Sequence, residues 1–158
     1  LSFAWQDIVF TGDLVMGWAS SLVAPPDGDL TDFMASCQRL RKRGAGCFHA
    51  GHGAPMHAPM ARLDWLITHR LAREAAILEV LAEAPATTSE LAAAIYTDTP
   101  AALIPAAKRN ILAHLVAMHV KKRDYPAGAL CETAQYHRSI TRMPEPKIPF
   151  VFNGLGKV

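Results

Sequence analysis

The sequence predicts an α/β layer followed by a smaller α+β domain. Two observations lead to this fold class. Near the start, short apolar strands alternate with a helix, in the order strand, loop, helix, strand, loop. Farther along, three amphipathic helical patterns follow one another and end in two short strand-like segments. The predicted bounds are 1–58 for the α/β layer, 59–140 for the second domain and 141–158 for a proline-containing tail.

The α/β layer is predicted to begin with a strand pair over residues 3–10, in which WQD forms the tight connection. A helix follows over residues 30–43. Asp29 is expected to cap it, because its side-chain oxygen can accept from the free N–H groups of the first turn. Cations in the last turn and Gly44 beyond them are typical of a helix C-terminus. A second strand is expected at residues 46–49, so both strands lead into polar loops.

The second domain is predicted to contain three helices and a hairpin. A long helix ends before Pro85, a capping box from Thr87 to Glu90 starts a short helix, and Pro100 opens the third. The segment VKKRDYPAGALCETAQYH predicts two strands around a Pro-Ala-Gly turn. This is the plan of a winged helix. The residues expected to face the core are Leu63, Leu66, Ile67, Leu71, Ile77, Leu78 and Leu81 in the long helix, and Leu103, Ala107, Ile111, Leu115 and Met118 in the third.

Composition and charge exclude several classes of protein. With 51% hydrophobic and 19% charged residues, the chain is expected to fold rather than to be disordered. A formal net charge of +2 is too small to indicate nucleic-acid binding. No apolar run reaches the about 20 residues of a helical membrane span, so we expect a soluble protein without a membrane partner. Cys37, Cys47 and Cys131 form no disulfide framework, which favours a reducing, cytoplasmic compartment.

Two candidate metal ligands follow the predicted strands. Asp13 comes after FTG at a strand end, and His52 lies between two glycines that allow close backbone approach. Carboxylate and imidazole are both ligands of zinc and similar ions. Each residue alone is a weak signal, because a loop carboxylate or a solvent-facing histidine is the more common case. Together they predict a site at the ends of the strands.

The motifs FTGDLVMGWASSLVAPPDGDLTDFMASCQRL, GHGAP and LITHRLAREAAIL, with the winged-helix-like end, resemble the metallo-β-lactamase-fold hydrolases of the β-lactamase-like protein 2 branch. The resemblance covers roughly residues 3–125 and implies the C-terminal portion of an αββα fold. In that family the aspartate of TGD bridges two metal ions, and the histidine of a late HG motif binds one of them. Carried over, Asp13 is the bridging ligand and His52 the terminal one, with two zinc ions or other divalent metals as the cofactor.

The resemblance implies a metal-dependent hydrolase in which metal-bound hydroxide attacks an ester, a thioester or a phosphodiester, with Asp13 and His52 as catalytic residues. Within the branch, cleavage of single-stranded RNA is the best-known activity, and hydrolysis of a small-molecule ester or thioester fits the motifs equally well. The family's HxHxDH motif is not found among the seven histidines. We therefore expect that half of the site to precede Leu1 and this segment alone to be inactive. Metal identity, substrate and oligomeric state stay open.

Other residues are weaker candidates. His49 and His57 flank the candidate ligand loop and are candidates for orienting a metal ligand, although histidines in loops more often have no such role. His69 and Arg70 on the long helix are expected to pack or to form ion pairs at the domain junction. The candidate nucleic-acid contacts are Lys108, Arg109, Lys121, Lys122 and Arg123. The alternative function is therefore a nucleic-acid-binding winged-helix protein with an incomplete, inactive metal site.

Overall fold

The computed structural model describes residues 1–121 and 123–139. Within them the chain forms two three-stranded sheets and four α-helices. In chain order the elements are β1 (Phe3–Trp5), β2 (Ile8–Gly12), α1 (Leu30–Arg43), β3 (Cys47–Ala50), α2 (Pro59–Glu83), β4 (Ala86–Thr87), α3 (Thr88–Ile95), a 3₁₀ turn (Ala101–Leu103), α4 (Ile104–Val120), β5 (Asp124–Pro126) and β6 (Gln135–Arg138). Lys122 and the predicted tail 141–158 lie outside the described residues, and the predicted domain bounds stay a prediction.

The first sheet has the order β1-β2-β3, and α1 covers one of its faces. β1 and β2 form the predicted antiparallel pair, whereas β2 and β3 run parallel because α1 carries the chain across between them. Val9 and Phe48 pair in register and are buried in the same core as α1. On the opposite face Phe3, Trp5 and Phe10 are exposed. The parallel pair places the ends of β2 and β3 side by side.

The predicted helix over residues 30–43 is confirmed, and so are both of its ends. The Asp29 carboxylate accepts from the Asp32 amide at 2.9 Å. Gly44 has a φ of +70°, a conformation that favours glycine, and its amide donates to the Leu40 carbonyl at 3.1 Å. These caps satisfy backbone groups that the helix itself leaves unpaired.

The second half of the described chain has the predicted winged-helix plan. α2, α3 and α4 pack around a core that includes Leu91, Ile111, Leu115 and the fully buried ring of Tyr136. The sheet has the order β4-β6-β5, and its strands are antiparallel. Within the described residues, no helix combines the length and apolarity that a membrane crossing needs.

The structure corrects details of this half. Leu71 and Leu103, expected in the core, are 53% and 55% exposed. Leu71 lines an open cleft between α1, α2 and α4. Leu103 ends the 3₁₀ turn that separates Pro100 from α4. α4 begins only at Ile104, with the next proline in its first turn. The hairpin is also longer than a Pro-Ala-Gly turn, because Pro126 still pairs with Tyr136 in the ladder and residues 127–134 form the connection.

The capping box at the start of α3 gives a testable stability effect. Thr87 Oγ1 accepts from the Glu90 amide at 3.3 Å, and Glu90 Oε2 accepts from the Thr87 amide at 2.7 Å. We expect Thr87→Ala to lower the free energy of unfolding by about 1 kcal/mol, because the amide loses its acceptor. Urea unfolding measures the change. Ser89→Ala, at an exposed position of the same helix, is the control, and an equal loss in both variants would contradict a capping role.

The same box has a pH signature. The Glu90 carboxylate accepts hydrogen bonds from the Thr87 amide and hydroxyl, and these bonds lower the pKa of Glu90. The stabilisation is therefore present above the ordinary pKa of a glutamate and is lost as the pH falls through the lowered value.

Candidate metal centre

Asp13 follows the last residue of β2 at a sharp change in backbone direction. Gly12 has a φ of +54°, which turns the chain out of the strand and directs it into the loop of residues 13–24, called here the Asp13 loop. The Gly51 amide donates to the Gly12 carbonyl at 3.1 Å. This bond joins the loop after β2 to the loop after β3.

The structure brings Asp13 and His52 together, although they are far apart in sequence. His52 Nε2 lies 3.8 Å from Asp13 Oδ1, and both side chains are largely exposed, at 71% and 65%. A Cβ at Gly51 would lie 2.9 Å from Asp13 Oδ1, so a larger residue there would shift the carboxylate from this position. The two donors therefore converge where the sequence predicts a site, and their binding of metal stays a prediction.

Thr11 supports both loops from beneath. Its side chain is fully buried, and Oγ1 lies 2.9 Å from the Val15 carbonyl and 3.3 Å from the His49 carbonyl. A hydroxyl donates one proton, so these carbonyls share it. A buried polar group satisfied in this way fixes the start of the Asp13 loop against β3.

Two arginines of α2 hold the Asp13 loop, and the first is Arg62. Its Nε donates to the Met16 carbonyl and its Nη2 to the Ala19 carbonyl, both at 2.7 Å. The guanidinium also lies 4.2 Å from the centre of the Trp65 ring, which in turn stacks on His69 at 4.9 Å and 10°. Burial and the nearby arginines lower the pKa of His69, which favours the neutral imidazole in this stack.

The second arginine is Arg70, which is only 3% exposed. Its Nη2 donates to the Ser20 and Ser21 carbonyls at 2.7 and 2.6 Å, and its Nη1 donates to Asn110 Oδ1 at 3.0 Å. Ser21 Oγ donates in turn to the Asp13 carbonyl at 2.8 Å. Arg70 thus packs at the junction of the two halves, as the sequence predicts, and it supports the backbone of the candidate ligand. These long-range bonds to carbonyls leave no pattern in the sequence.

The two histidines predicted to orient a ligand occupy different environments. His49 is half-buried in β3, and its ring lies 5.3 Å from the Phe10 ring. His57 is exposed and follows Met56, whose backbone pairs with Phe48 on β3. Both lie in or beside the elements that carry His52, and their role in orienting a ligand stays a prediction.

The described residues among the predicted nucleic-acid contacts lie in two different environments. Lys121 Nζ and Arg123 Nη1 bind the buried Glu74 carboxylate, at 3.3 and 2.5 Å. Lys108 is half-buried on α4, and Arg109 beside it is exposed. Two of the described cations thus pair with one buried carboxylate, while about half of each side chain stays exposed.

The residues present fit part of a metal centre. Two donors held by one tetrahedral ion at about 2.1 Å each would lie about 3.4 Å apart, slightly closer than the 3.8 Å between Asp13 Oδ1 and His52 Nε2. Among residues 1–121 and 123–139, however, no group of three or more His, Cys, Asp or Glu side chains is placed to hold an ion. Catalytic zinc sites use three protein ligands, so Asp13 and His52 alone would supply only two of the donors that such a site needs.

Comparison with known sequences matches part of the second half to a family model and finds similar relatives for about two thirds of the chain. Residues 87–118 match the model of the beta-lactamase associated winged helix domain. The chain is 32% identical over 104 residues to a beta-lactamase-like protein 2 homolog of Caenorhabditis elegans, covering 65% of the chain and 34% of the relative. It is 27% identical over 113 residues to the homolog of Drosophila melanogaster, covering 70% and 37%. The chain therefore spans about a third of the length of these relatives.

A further relative is an atrochrysone carboxyl ACP thioesterase of Passalora fulva, 32% identical over 94 residues, which cover 56% of the chain and 27% of the relative. Among solved structures, a metallo-beta-lactamase family protein of Thermus thermophilus matches with a TM-score of 0.69 at 26% identity, covering 84% of this chain and 42% of that one. A beta-lactamase domain protein of Burkholderia ambifaria has the same TM-score at 19% identity, covering 83% and 41%, which supports the fold alone. The predicted resemblance is confirmed: the chain joins a portion of the metallo-β-lactamase fold to a β-lactamase-associated winged helix domain and is similar to the β-lactamase-like protein 2 homologs.

Proposed function

We propose that the chain forms part of a divalent-metal-dependent hydrolase of the metallo-β-lactamase superfamily. The observation that carries the proposal is the convergence of Asp13 and His52 at the ends of two parallel strands, 3.8 Å apart. The thioesterase among the relatives supports hydrolysis as the reaction class. The substrate class is an ester, a thioester or a phosphodiester, and single-stranded RNA is the candidate among the phosphodiesters.

In this proposal Asp13 and His52 are ligands of the metal centre, with zinc as the first candidate ion. A divalent metal supplies a Lewis acid for the polarised bond and lowers the pKa of bound water. The chain itself supplies the exposed carboxylate and imidazole, and the bond from Gly51 to Gly12 keeps their two loops together. Thr11, Ser21 and Arg70 hold the backbone around Asp13, so the main chain that carries the carboxylate is ordered before any ion binds. Such preorganisation favours binding because little ordering remains to be done.

The proposed compartment is the cytoplasm. Cys37, Cys47 and Cys131 are all free thiols, in keeping with a reducing environment. Burial raises the pKa of Cys37 to about 11, so this thiol stays protonated and does not serve as a nucleophile.

Nucleic-acid binding by the winged helix is the less favoured alternative. Its candidate cations include Lys121 and Arg123, and both already bind Glu74. Glu74 neutralises part of their charge, so phosphate contacts by these two residues would gain less than contacts by unpaired cations.

Metal content of the full-length protein tests the proposal. We expect Asp13→Asn and His52→Gln each to lower metal affinity by about a hundredfold or more and to reduce hydrolysis in parallel, because each removes one ligand. Mass spectrometry after dialysis against a metal buffer gives the occupancy. Asp27→Asn, an exposed carboxylate just beyond the Asp13 loop, is the matched control and is expected to retain metal. Full metal content and activity in the Asp13 variant would reject the role assigned to Asp13.

A further inference from the structure

Trp18 is the large aromatic side chain of the Asp13 loop, and the mechanism above gives it no role. Its indole is 71% exposed. It nevertheless lies against the other loop of the site: a Cβ on Gly53 would lie 3.0 Å from Trp18 Cδ1 and 3.3 Å from Nε1. Gly53 has a φ of +98° and directly follows His52. An exposed indole edge therefore stands beside a candidate metal ligand.

The segment that carries Trp18 is held on both sides. Arg62 donates to the carbonyl of Met16 before it and to the carbonyl of Ala19 after it, both at 2.7 Å. One guanidinium thus spans the two residues at the tip of the loop, Gly17 and Trp18. A planar fork of donors is suited to such a contact because it fixes two acceptors in one geometry.

Arg62 is itself fixed by its neighbours on α2. Its guanidinium lies over the Trp65 ring at 4.2 Å, and the ring of Trp65 stacks on His69. These contacts restrict the long arginine side chain, which would otherwise lose rotamer freedom on binding the loop. Helix α2 therefore holds the backbone on both sides of Trp18, next to the loop that carries His52.

This arrangement is more than the folding of the loop requires. An exposed indole buries little apolar surface and so contributes little to stability, whereas an aromatic ring on a held backbone segment offers a binding surface at low entropic cost. Planar rings stack on such a surface, and each stacked ring is worth about 1–3 kcal/mol. A saturated ring of the same size lacks the π-face and gains less.

We propose that Trp18 is a specificity-determining residue of the candidate site, which stacks on a planar aromatic ring of the substrate close to the bond that is hydrolysed. Arg62 is the positioning residue that holds Trp18 in place. This inference rests on the proposed function, because the site beside Trp18 is the one formed by Asp13 and His52. It concerns the ring of the substrate and does not depend on the identity of the metal.

A matched pair of thioesters tests the inference in the full-length, metal-loaded protein. The phenylacetyl and cyclohexylacetyl thioesters of N-acetylcysteamine share their leaving group and differ in the planarity of one ring. We expect the ratio of kcat/KM to favour the phenylacetyl compound by about tenfold in the wild type. Trp18→Leu is expected to bring this ratio to about one, mainly through KM, while Trp18→Phe retains most of it. Trp5→Leu, an exposed indole on β1, is the control and keeps the full ratio.

Arg62→Met tests the positioning role. It leaves Trp18 in the chain and removes both bonds to its loop, so we expect a raised KM for the phenylacetyl compound and a reduced ratio. A wild-type ratio near one, or a ratio that survives Trp18→Leu, would overturn the inference while leaving the hydrolase itself intact.

If neither thioester is hydrolysed, the proposed function fails for this substrate class, and a binding measurement decides the inference separately. Phenylacetate and cyclohexylacetate are titrated against tryptophan fluorescence in wild type and in Trp18→Leu. Stronger quenching by phenylacetate that disappears in the variant supports the stacking role, and equal responses to both acids reject it.

Discussion

Arg70→Met will lower the free energy of unfolding by about 3 kcal/mol and loosen the Asp13 loop. The arginine is almost completely buried, and its guanidinium donates to two loop carbonyls and to Asn110. Methionine fills a similar space but donates no hydrogen bond, so the Ser20 and Ser21 carbonyls lose this donor and Asn110 Oδ1 retains only the Val23 amide, at 3.4 Å. Relief of the buried charge offsets part of this loss, since burial already lowers the pKa of Arg70. Removing the donor outweighs this relief of buried charge, because each buried acceptor left unsatisfied costs about 1–3 kcal/mol.

Urea unfolding of wild type and variant measures this difference. Arg73→Met is the matched control on the same helix, because Arg73 has one long bond to the Ile95 carbonyl, at 3.3 Å, and lies over the Tyr96 ring. We expect the control to change stability by less than about 1 kcal/mol. Hydrogen exchange should also rise at residues 16–21 in the Arg70 variant alone. Equal losses in both variants, with unchanged exchange in the loop, would show that Arg70 does not hold it.

His114→Leu will change how stability depends on pH. His114 is 1% exposed on α4, and in the described part of the chain neither ring nitrogen has a hydrogen-bond partner. Burial, with the nearby Arg70 and Arg73 cations, lowers its pKa to about 3. The unfolded chain takes up a proton below about pH 6.5 and the folded chain does not, so stability is lost as the pH falls. Between pH 6.5 and 4 this loss amounts to about 3 kcal/mol.

Asp124 acts in the opposite direction over the same range. Its carboxylate is buried at the start of β5 without a partner among the described residues, and burial raises its pKa to about 7. The folded chain keeps a proton that the unfolded chain releases above about pH 3.8. The contribution of Asp124 to the free energy of unfolding therefore falls as the pH rises toward 7. The contributions of His114 and Asp124 therefore have opposite slopes between pH 4 and 6.5, and they partly cancel in the wild type.

Unfolding measured at several pH values separates the two groups. Relative to wild type, His114→Leu should gain stability at pH 4 compared with pH 6.5, and Asp124→Asn should gain at pH 6.5 compared with pH 4. The double variant should again have a shallow profile. A wild-type-like profile in either single variant would contradict the assigned pKa of that residue.

Local signals in the sequence predicted the helices well because capping hydrogen bonds join residues only a few positions apart. Asp29 caps the start of α1 and Gly44 its end, and the capping box of Thr87 and Glu90 starts α3, as their residue types indicate. Exposure was predicted less well. Leu71 has the apolar spacing of its helix but lies outside the core, because its position relative to α1 and α4 is a property of tertiary packing.

The candidate site was predictable to a similar degree. A glycine before Asp13 and glycines around His52 suggested two loops at strand ends, and the parallel pairing of β2 with β3 brings them together. The support of these loops by Arg62 and Arg70 was not predictable in detail. These donors act across more than 40 residues of sequence on backbone carbonyls, and a carbonyl is present at every position of the chain.

The acceptors of the two arginines have a consequence for sequence divergence. All four loop atoms that Arg62 and Arg70 bind are main-chain oxygens, at residues 16, 19, 20 and 21. Substitutions at 16, 19 or 20 therefore leave the attachment intact, whereas lysine cannot replace either arginine, because one ammonium does not reproduce a planar fork. Evolution can thus alter the walls of the site through the loop side chains while the two arginines on α2 keep its backbone in place.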